Sequence, residues 1–355
     1  MRVLRTYFSV PPSPGGMEQH VHELSVHQRR QGVEVVQAFS RGALEAEHGF
    51  QVLRGWPILR IRPRALRDLL FYSAVLIGVR RRNIRVDVVH IHGDWSAFLF
   101  GRILKSVTHA RLLVGSVHGH VPESRWRRAI FKRCVACYQV LYATGVRECD
   151  LLARWSNRKW SWIASGISEC FFEAIAASKT TDVVVVGSLV PVKGLDLAVE
   201  IARRTPQRKF RIIGDGPERS RLEALASQGR VENLRFQGRL EPAAVAAELA
   251  QSRVLLLTSL KEGTPTAMLE AMAAGLPVVT TSSNDYSALL GAGEGGVIVE
   301  SRDPQELSRA VERWAADESL AGKAGERNRV VAGGYAWPAV AQRITREMAM
   351  ALSQP

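Results

Sequence analysis

Short β-branched runs alternate with helix-period segments along the whole chain, and this alternation restricts the fold more than any other feature. Strand, helix, strand in repetition is how βαβ units are written, and such units build parallel sheets covered by helices. In the first half, strands are predicted over 2–10, 34–39, 87–92 and 111–118. The segment 19–31 has helical spacing, with Val21, Leu24 and Gln28 on one face and Gly32 where a helix stop belongs. The second half starts the pattern again, with strands predicted over 182–186, 210–213, 234–237, 254–258, 277–281 and 296–299. At 355 residues the chain exceeds what one core usually fills. The polar stretch 173–181 is the expected linker. The predicted class is therefore α/β, with two doubly wound Rossmann-like domains, 1–173 and 174–335, facing across a cleft. Ligands in such sheets bind beyond the carboxyl ends of the strands.

Charge is distributed unevenly. The chain has 48 Lys plus Arg against 34 Asp plus Glu, a formal +14. Residues 1–175 hold 26 of the basic and 13 of the acidic residues, so the excess belongs to the N-terminal half. A one-sided basic field points to a polyanion, either nucleic acid or an anionic membrane surface. Four cysteines in a chain of this length make no disulfide scaffold. Arg2 and Arg5 interrupt the first apolar run, which does not read as an export signal, and the expected compartment is reducing and cytosolic. The longest nearly unbroken apolar run, 69–79, would make a helix of about 16 Å against the roughly 30 Å of a bilayer core. A chain of this kind is expected to lie on a membrane rather than span it.

Three turns follow predicted strands and open predicted helices. In PPSPGGMEQH (11–20), Gly15 and Gly16 free the backbone to approach a ligand, and the helix start behind them presents unpaired N–H groups to an anion. A tight strand-to-helix turn without a ligand explains the segment as well. The dinucleotide pattern G-x-G-x-x-G is absent, which argues against a dehydrogenase. In IIGDGPE (212–218), Gly214 and Gly216 flank Asp215, and Pro217 suits a first helical turn. The most specific segment is LKEGTPTAMLEAMAAGLPVV (260–279). Thr264 is placed to cap a helix with Pro265 at its first position, and Gly275 ends it. The helix N-terminus would favour a phosphate. Glu262 before the cap and Glu270 within the helix offer carboxylates to ribose or sugar hydroxyls. The alternative is that both are solvated helix charges.

The E-x7-E spacing of Glu262 and Glu270, the G-x-G-P of 214–217, the segment GSLVPVKGLDLAVEIA (187–202), the GG loop at Gly15 and the YAW of 335–337 resemble the retaining GT-B glycosyltransferases. More narrowly, they resemble family four, which uses nucleotide-diphosphate sugars. The resemblance spans nearly the whole chain and implies that a last helix, 336–355, crosses back onto the N-terminal domain. It implies that Lys193 neutralises the donor diphosphate, Glu270 holds the ribose and Glu262 holds the donor sugar. Ser188 and the backbone of Gly263, Thr264, Pro265, Thr266, Ala267, Met268 and Leu269 would line the same pocket, with Gly214 and Gly216. The Gly15–Gly16 loop would close over the phosphates, and His118 would lie beside the anomeric carbon. A fixed lysine and a helix N-terminus stabilise the charge of a departing diphosphate, so no metal and no cofactor is expected. The reaction implied is front-face attack, with the leaving phosphate helping to deprotonate the acceptor. In one departure, the family's arginine after the glycine of the first C-terminal strand is Ser188 here. In another, its asparagine-glycine before the linker is Ser165–Gly166.

The basic half contains RGWPILRIRPRALRDLLFYSAVLIGVRRRNIR (54–85), an apolar centre between Arg60, Arg62, Arg64 and Arg67 and Arg80, Arg81, Arg82 and Arg85. A second stretch, 124–133, has Arg125, Arg128 and Lys132 on one helical face, with Trp126, Ile130, Cys134 and Cys137 on another. Both read as interfacial elements for an anionic bilayer; for the first, a core helix with charged ends is the alternative. Cys134 and Cys137 lack a second pair at zinc spacing and read as packing residues. His90, His92 and His118 follow strand patterns, and His90 and His92 read as strand and cleft-wall residues. No helix-turn-helix, RNA-binding or zinc-finger signature supports nucleic acid. The expectation is a cytoplasmic, membrane-peripheral glycosyltransferase moving a sugar from a UDP- or GDP-sugar to a lipid-linked or saccharide acceptor in cell-surface polysaccharide or glycolipid synthesis. The alternatives are a catalytically impaired membrane-bound scaffold, motivated by Ser188, and a nucleotide-sugar epimerase on the same architecture.

Overall fold

The computed structural model describes residues 1–11, 16–42, 50–55, 64–118, 124–174, 178–283 and 286–354. Gly15, Arg60, Arg62 and His120 lie outside them. The chain divides into two compact units, one of residues 1–166 with 337–355 and one of residues 167–336.

The first unit runs β1 (Arg2–Thr6), α1 (Gly16–Arg30), β2 (Glu34–Phe39), β3 (Gln51–Arg54), α2 (Arg64–Arg81), β4 (Val88–Gly93), a 3₁₀ turn (Trp95–Phe100), α3 (Gly101–Val107), β5 (Leu112–Val117), α4 (Arg125–Val135), β6 (Val140–Ala143), α5 (Val146–Ser156) and β7 (Ser161–Trp162). Its sheet has the order β3-β2-β1-β4-β5-β6-β7, every pair parallel. The apolar runs are continuous because both faces are covered. Neighbouring residues take opposite faces. Leu4, Val36, Val89 and Leu113 pack with Phe71, Tyr72 and Val75 of α2 and Phe131 of α4. Val3, Val35, Val88 and Leu112 pack with Leu24 of α1 and with Val340, Ile344 and Met348.

The second unit runs α6 (Cys170–Glu173), β8 (Thr181–Val186), α7 (Leu195–Arg204), β9 (Phe210–Ile213), α8 (Arg219–Gln228), β10 (Leu234–Gly238), α9 (Pro242–Ala250), β11 (Ser252–Leu257), α10 (Thr266–Ala273), β12 (Val278–Thr281), α11 (Ser287–Leu290), β13 (Gly296–Val299), α12 (Pro304–Ala316) and α13 (Glu318–Gly333). Its sheet order is β10-β9-β8-β11-β12-β13, again parallel. The last helix, α14 (Trp337–Ser353), returns to the first unit. It is tied there by Gln28 Nε2 donating to Thr345 Oγ1 at 2.8 Å and Gln31 Nε2 donating to the Pro338 carbonyl at 2.9 Å.

Two expectations change. The first strand ends at Thr6 rather than at residue 10, and Ser9 makes only a lone bridge to Arg41. The units divide after Gly166 rather than at 173. The Ile167 N–H donates to the Tyr335 carbonyl at 2.8 Å, and Arg329 donates to the Phe172 carbonyl, so the segment that looked like the end of the first domain is bound into the second.

Candidate functional site

Each sheet reverses its strand order once, between β1 and β4 and between β8 and β11. Such switch points are where open parallel sheets bind ligands. The turns after β8 and β11 meet at the second of them. The 3₁₀ turn Pro191–Lys193 ends at Gly194, whose φ of 56° carries the chain into α7. Lys193 Nζ pairs with the Glu262 carboxylate, both half-buried. Ser259 Oγ donates to the same carboxylate at 2.7 Å. The two turns are also joined through their backbones. Leu260 N–H donates to the Val192 carbonyl at 2.8 Å, Thr258 Oγ1 donates to the Lys193 carbonyl at 3.0 Å, and Arg302 donates to the Thr258 carbonyl at 2.7 Å. Lys193 and Glu262, 69 positions apart, thus share one rigid frame.

The helix following β11 starts at Thr266, and its cap is Pro265, not Thr264. Pro265 has a ψ of 123°, which leaves it outside the first turn and takes Thr264 out of capping range. Gly263 and Thr264 are half-buried and Thr266 is exposed. Ala267, Met268 and Leu269 bury their side chains in the core, and the Met268 N–H already donates to the Pro265 carbonyl at 3.0 Å, so the helix start addresses a ligand through the N–H groups of Thr266 and Ala267. Glu270 keeps a little exposure, yet the surrounding protein raises its carboxyl from 4.5 to about 7 through desolvation. Cys170 lies close enough for the Glu270 charge to help raise its thiol, after burial itself.

Gly214 and Gly216 have a packing reason that the sequence did not disclose. A Cβ on Gly214 would sit 1.9 Å from the Gly187 carbonyl oxygen, and one on Gly216 would sit 2.4 Å from that of Leu189. Leu189 N–H donates to the Asp215 carbonyl at 3.0 Å, closing the two turns on each other. Gly214→Ala is expected to destabilise by about 2 kcal/mol or more through this overlap, lowering the unfolding midpoint by about 4 to 8 °C. An unchanged midpoint in a thermal melt would refute it. Ser188, between Gly187 and Leu189, is exposed.

At the switch point of the first sheet, a cavity of about 270 Å³ opens among Tyr7, Phe8, Glu18, Asp94, His92 and His118. His118 is brought to it by the end of β5. His92 Nδ1 lies 2.9 Å from His118 Nε2. The His20 ring centroid is 5.1 Å from that of His118, and His20 Nδ1 lies 3.2 Å from Ser165 Oγ. Burial keeps all of these rings neutral, with His118 pulled down to about 4 and His20 and His92 held well below the usual histidine range. Sequence reasoning placed His92 on the wall and passed over His20. The usable signal was the H-x-H of β4, which turns His90 and His92 to one face. One nitrogen each from His20, His92 and His118 falls within 4.8 Å of the others, a possible metal-ligand set. Arg5, wholly buried beside them, opposes a divalent cation there. Cys134 and Cys137 are free thiols raised by burial, and Cys137 Sγ donates to the Cys134 carbonyl at 3.0 Å, as expected of packing residues.

Residues 14–168 match the family described as Glycosyltransferase Family 4, and residues 168–331 match Glycosyl transferases group 1. The chain belongs to the GT-B glycosyltransferases. The lipopolysaccharide core biosynthesis glycosyltransferase LpsE of Rhizobium meliloti is 32% identical over 145 residues, 40% of this chain and 41% of that protein. The chain spans roughly a third to two fifths of the length of such curated relatives, between 34% and 41%. Sucrose-phosphate synthase from Thermosynechococcus elongatus superposes with a TM-score of 0.82 at 18% identity, over 98% of both chains. Anabaena Alr3699/HepE in complex with UDP and glucose gives 0.78 at 18% identity, over 98% of this chain and 99% of that one. In this glycosyltransferase Lys193 and Glu262 lie at the switch point of the second sheet, Gly214 and Gly216 in the adjoining turn after β9, and His118 at the end of β5 beside the switch point of the first sheet.

Proposed function

We propose that this glycosyltransferase moves a sugar from a UDP- or GDP-sugar, with retention of configuration, to a lipid-linked or saccharide acceptor in cell-surface polysaccharide or glycolipid synthesis. The reading rests above all on the Lys193–Glu262 pair at the switch point of the second sheet, beside the N-terminus of α10. A lysine ammonium has three donors, so Lys193 can hold Glu262 and still donate to a diphosphate oxygen. Charge released on the leaving diphosphate meets that ammonium and the N–H groups of α10. Glu262 accepts from sugar hydroxyls and Glu270 from the ribose. The cavity beside His118, within the first unit, takes a sugar. Incubation with donor and a saccharide acceptor should give a product with the donor's anomeric configuration. An inverted product would overturn the retaining assignment, and failure to bind any nucleotide would favour the scaffold reading.

The site of action in this proposal is the inner face of the cytoplasmic membrane. No helix among the described residues is long and apolar enough to cross a bilayer. The outer layer of the first unit supports attachment instead. Leu69 and Ile77 of α2, Ile103 of α3, and Trp126 and Ile130 of α4 are exposed, Trp126 by 59%. Arg127 lies over the Trp126 ring at 5.1 Å. Neither α3 nor α4 contains an acidic residue, and the single one of α2, Asp68, is buried. Each basic residue near an anionic surface is worth about 1 kcal/mol. Replacing Arg125, Lys132 and Arg133 together by Ala should therefore weaken binding to phosphatidylserine-containing vesicles by about 100-fold. Equal sedimentation of the variant and the parent would remove this face from the proposal. Preference for RNA over vesicles would point to the other polyanion.

A further inference from the structure

Four histidines of the first unit form one hydrogen-bonded pair and two hydroxyl contacts, and each leaves a defined ring nitrogen over. His90 Nε2 lies 2.8 Å from Ser116 Oγ, His20 Nδ1 lies 3.2 Å from Ser165 Oγ, and His92 Nδ1 lies 2.9 Å from His118 Nε2. The other nitrogens of three of the rings, His20 Nε2, His90 Nδ1 and His92 Nε2, are buried with no hydrogen-bond partner among the described residues. A buried N–H without an acceptor is rarer in proteins than an under-used acceptor, and leaving a donor unmade costs its full desolvation. The arrangement that strands no N–H puts the proton of each of these three rings on its bonded nitrogen.

For the His92–His118 pair this rule has one solution. If His118 Nε2–H donated, His92 would have to carry its proton on the orphaned Nε2. His92 Nδ1–H is therefore the donor and His118 Nε2 the acceptor. A neutral His118 must then bear its proton on Nδ1, and its Nε2 edge is already occupied. His118 lines the cavity, and Nδ1–H is the group it has left to offer there. Arg5, buried beside the rings and bonded to Ser25 and Gln28, helps to keep the cluster uncharged.

We propose that His92 is a positioning residue that fixes His118 in the Nδ1–H tautomer, so that His118 presents a hydrogen-bond donor, not a base, to a sugar oxygen in the cavity. The meeting with a sugar rests on the function proposed above; the tautomer does not. The 15N spectrum of histidine-labelled protein reads it directly, because protonated and bare ring nitrogens are widely separated. His118 should show a protonated Nδ1 and a bare Nε2, with or without substrate. A protonated Nε2 on His118 would overturn the proposal even if no substrate were ever found. Two amide substitutions test the consequence. The Asn side chain places its NH₂ near the position of a histidine Nδ1, and Gln places it near Nε2. His118→Asn should keep kcat within about 10-fold, whereas His118→Gln should lose about 10- to 100-fold. His92→Leu should let the His118 tautomers mix in the same spectrum and lower kcat, and His92→Asn should restore both. Equal activity of His118→Asn and His118→Gln, with the wild-type tautomer intact, would remove the donor role and leave only the assignment.

Discussion

Lys193→Ala is expected to lose nucleotide-sugar binding by about 100-fold or more. The expected loss is large for two reasons that add. In the proposed function the lysine is a positive charge that the frame after β8 offers to the diphosphate, and the position beside Gly187 where relatives are expected to carry an arginine is the exposed Ser188. Charge-assisted bonds to phosphate are among the strongest in proteins, and the proposal assigns them to Lys193. The same lysine also pairs with Glu262, so its removal leaves a carboxylate facing a dianion with less compensation. Titration calorimetry with UDP- and GDP-sugars measures the loss, and Ser188→Arg in the parent should act in the opposite direction. Binding unchanged in Lys193→Ala would place the diphosphate elsewhere.

Glu270 gives the second large effect, and it depends on pH. Its carboxyl rises in the folded chain from 4.5 to about 7 because burial disfavours the charge. Between those values the folded chain keeps a proton that the unfolded chain has given up. Stability from this group is therefore present below pH 4.5 and is lost as pH rises through 7, by about 3 kcal/mol. Ribose hydroxyls donate to a carboxylate and favour its ionised form. Nucleotide affinity should accordingly fall by up to about tenfold for each unit of pH below 7. Glu270→Gln should bind about 10- to 100-fold more weakly, show no such slope, and hold its stability from pH 5 to 8. A wild-type affinity that stays flat over that range would remove Glu270 from the ribose site.

The long elements were readable because their patterns are dictated by burial. The strands 34–39 and 210–213 appear at the predicted positions inside their sheets, and 296–299 at the edge of the second, because β-branched and apolar residues dominate each of them. The edge of the first sheet was not readable: β7 is two residues, Ser161 and Trp162, too short for any period. The strand β6 is four residues and ran into the preceding helical pattern. The boundary was missed because a polar composition marks solvent exposure, whereas the actual division is made by a backbone hydrogen bond from Ile167 to Tyr335. At the site, Lys193, Glu262 and Glu270 stand out because charges beside apolar segments are conspicuous. The His92–His118 bond was invisible, since it joins residues 26 positions apart on neighbouring strands and depends on register. The glycine pair 214 and 216 was seen, but its reason, the approach of the Gly187–Leu189 backbone, lies in a turn remote in sequence.

The return of α14 to the first unit also sets an order of events on the ribosome. The second unit is continuous, so it can complete its core as soon as its own residues emerge. The first unit has one face of its sheet waiting for Val340, Ile344 and Met348, which emerge only after the intervening residues 167–336 have been made. At about 5 to 20 residues per second, the part of that face not covered by α1 stays open for roughly 10 to 30 s of synthesis. The domain that is translated first is therefore the one that finishes folding last, and it is the natural client for a chaperone during that interval.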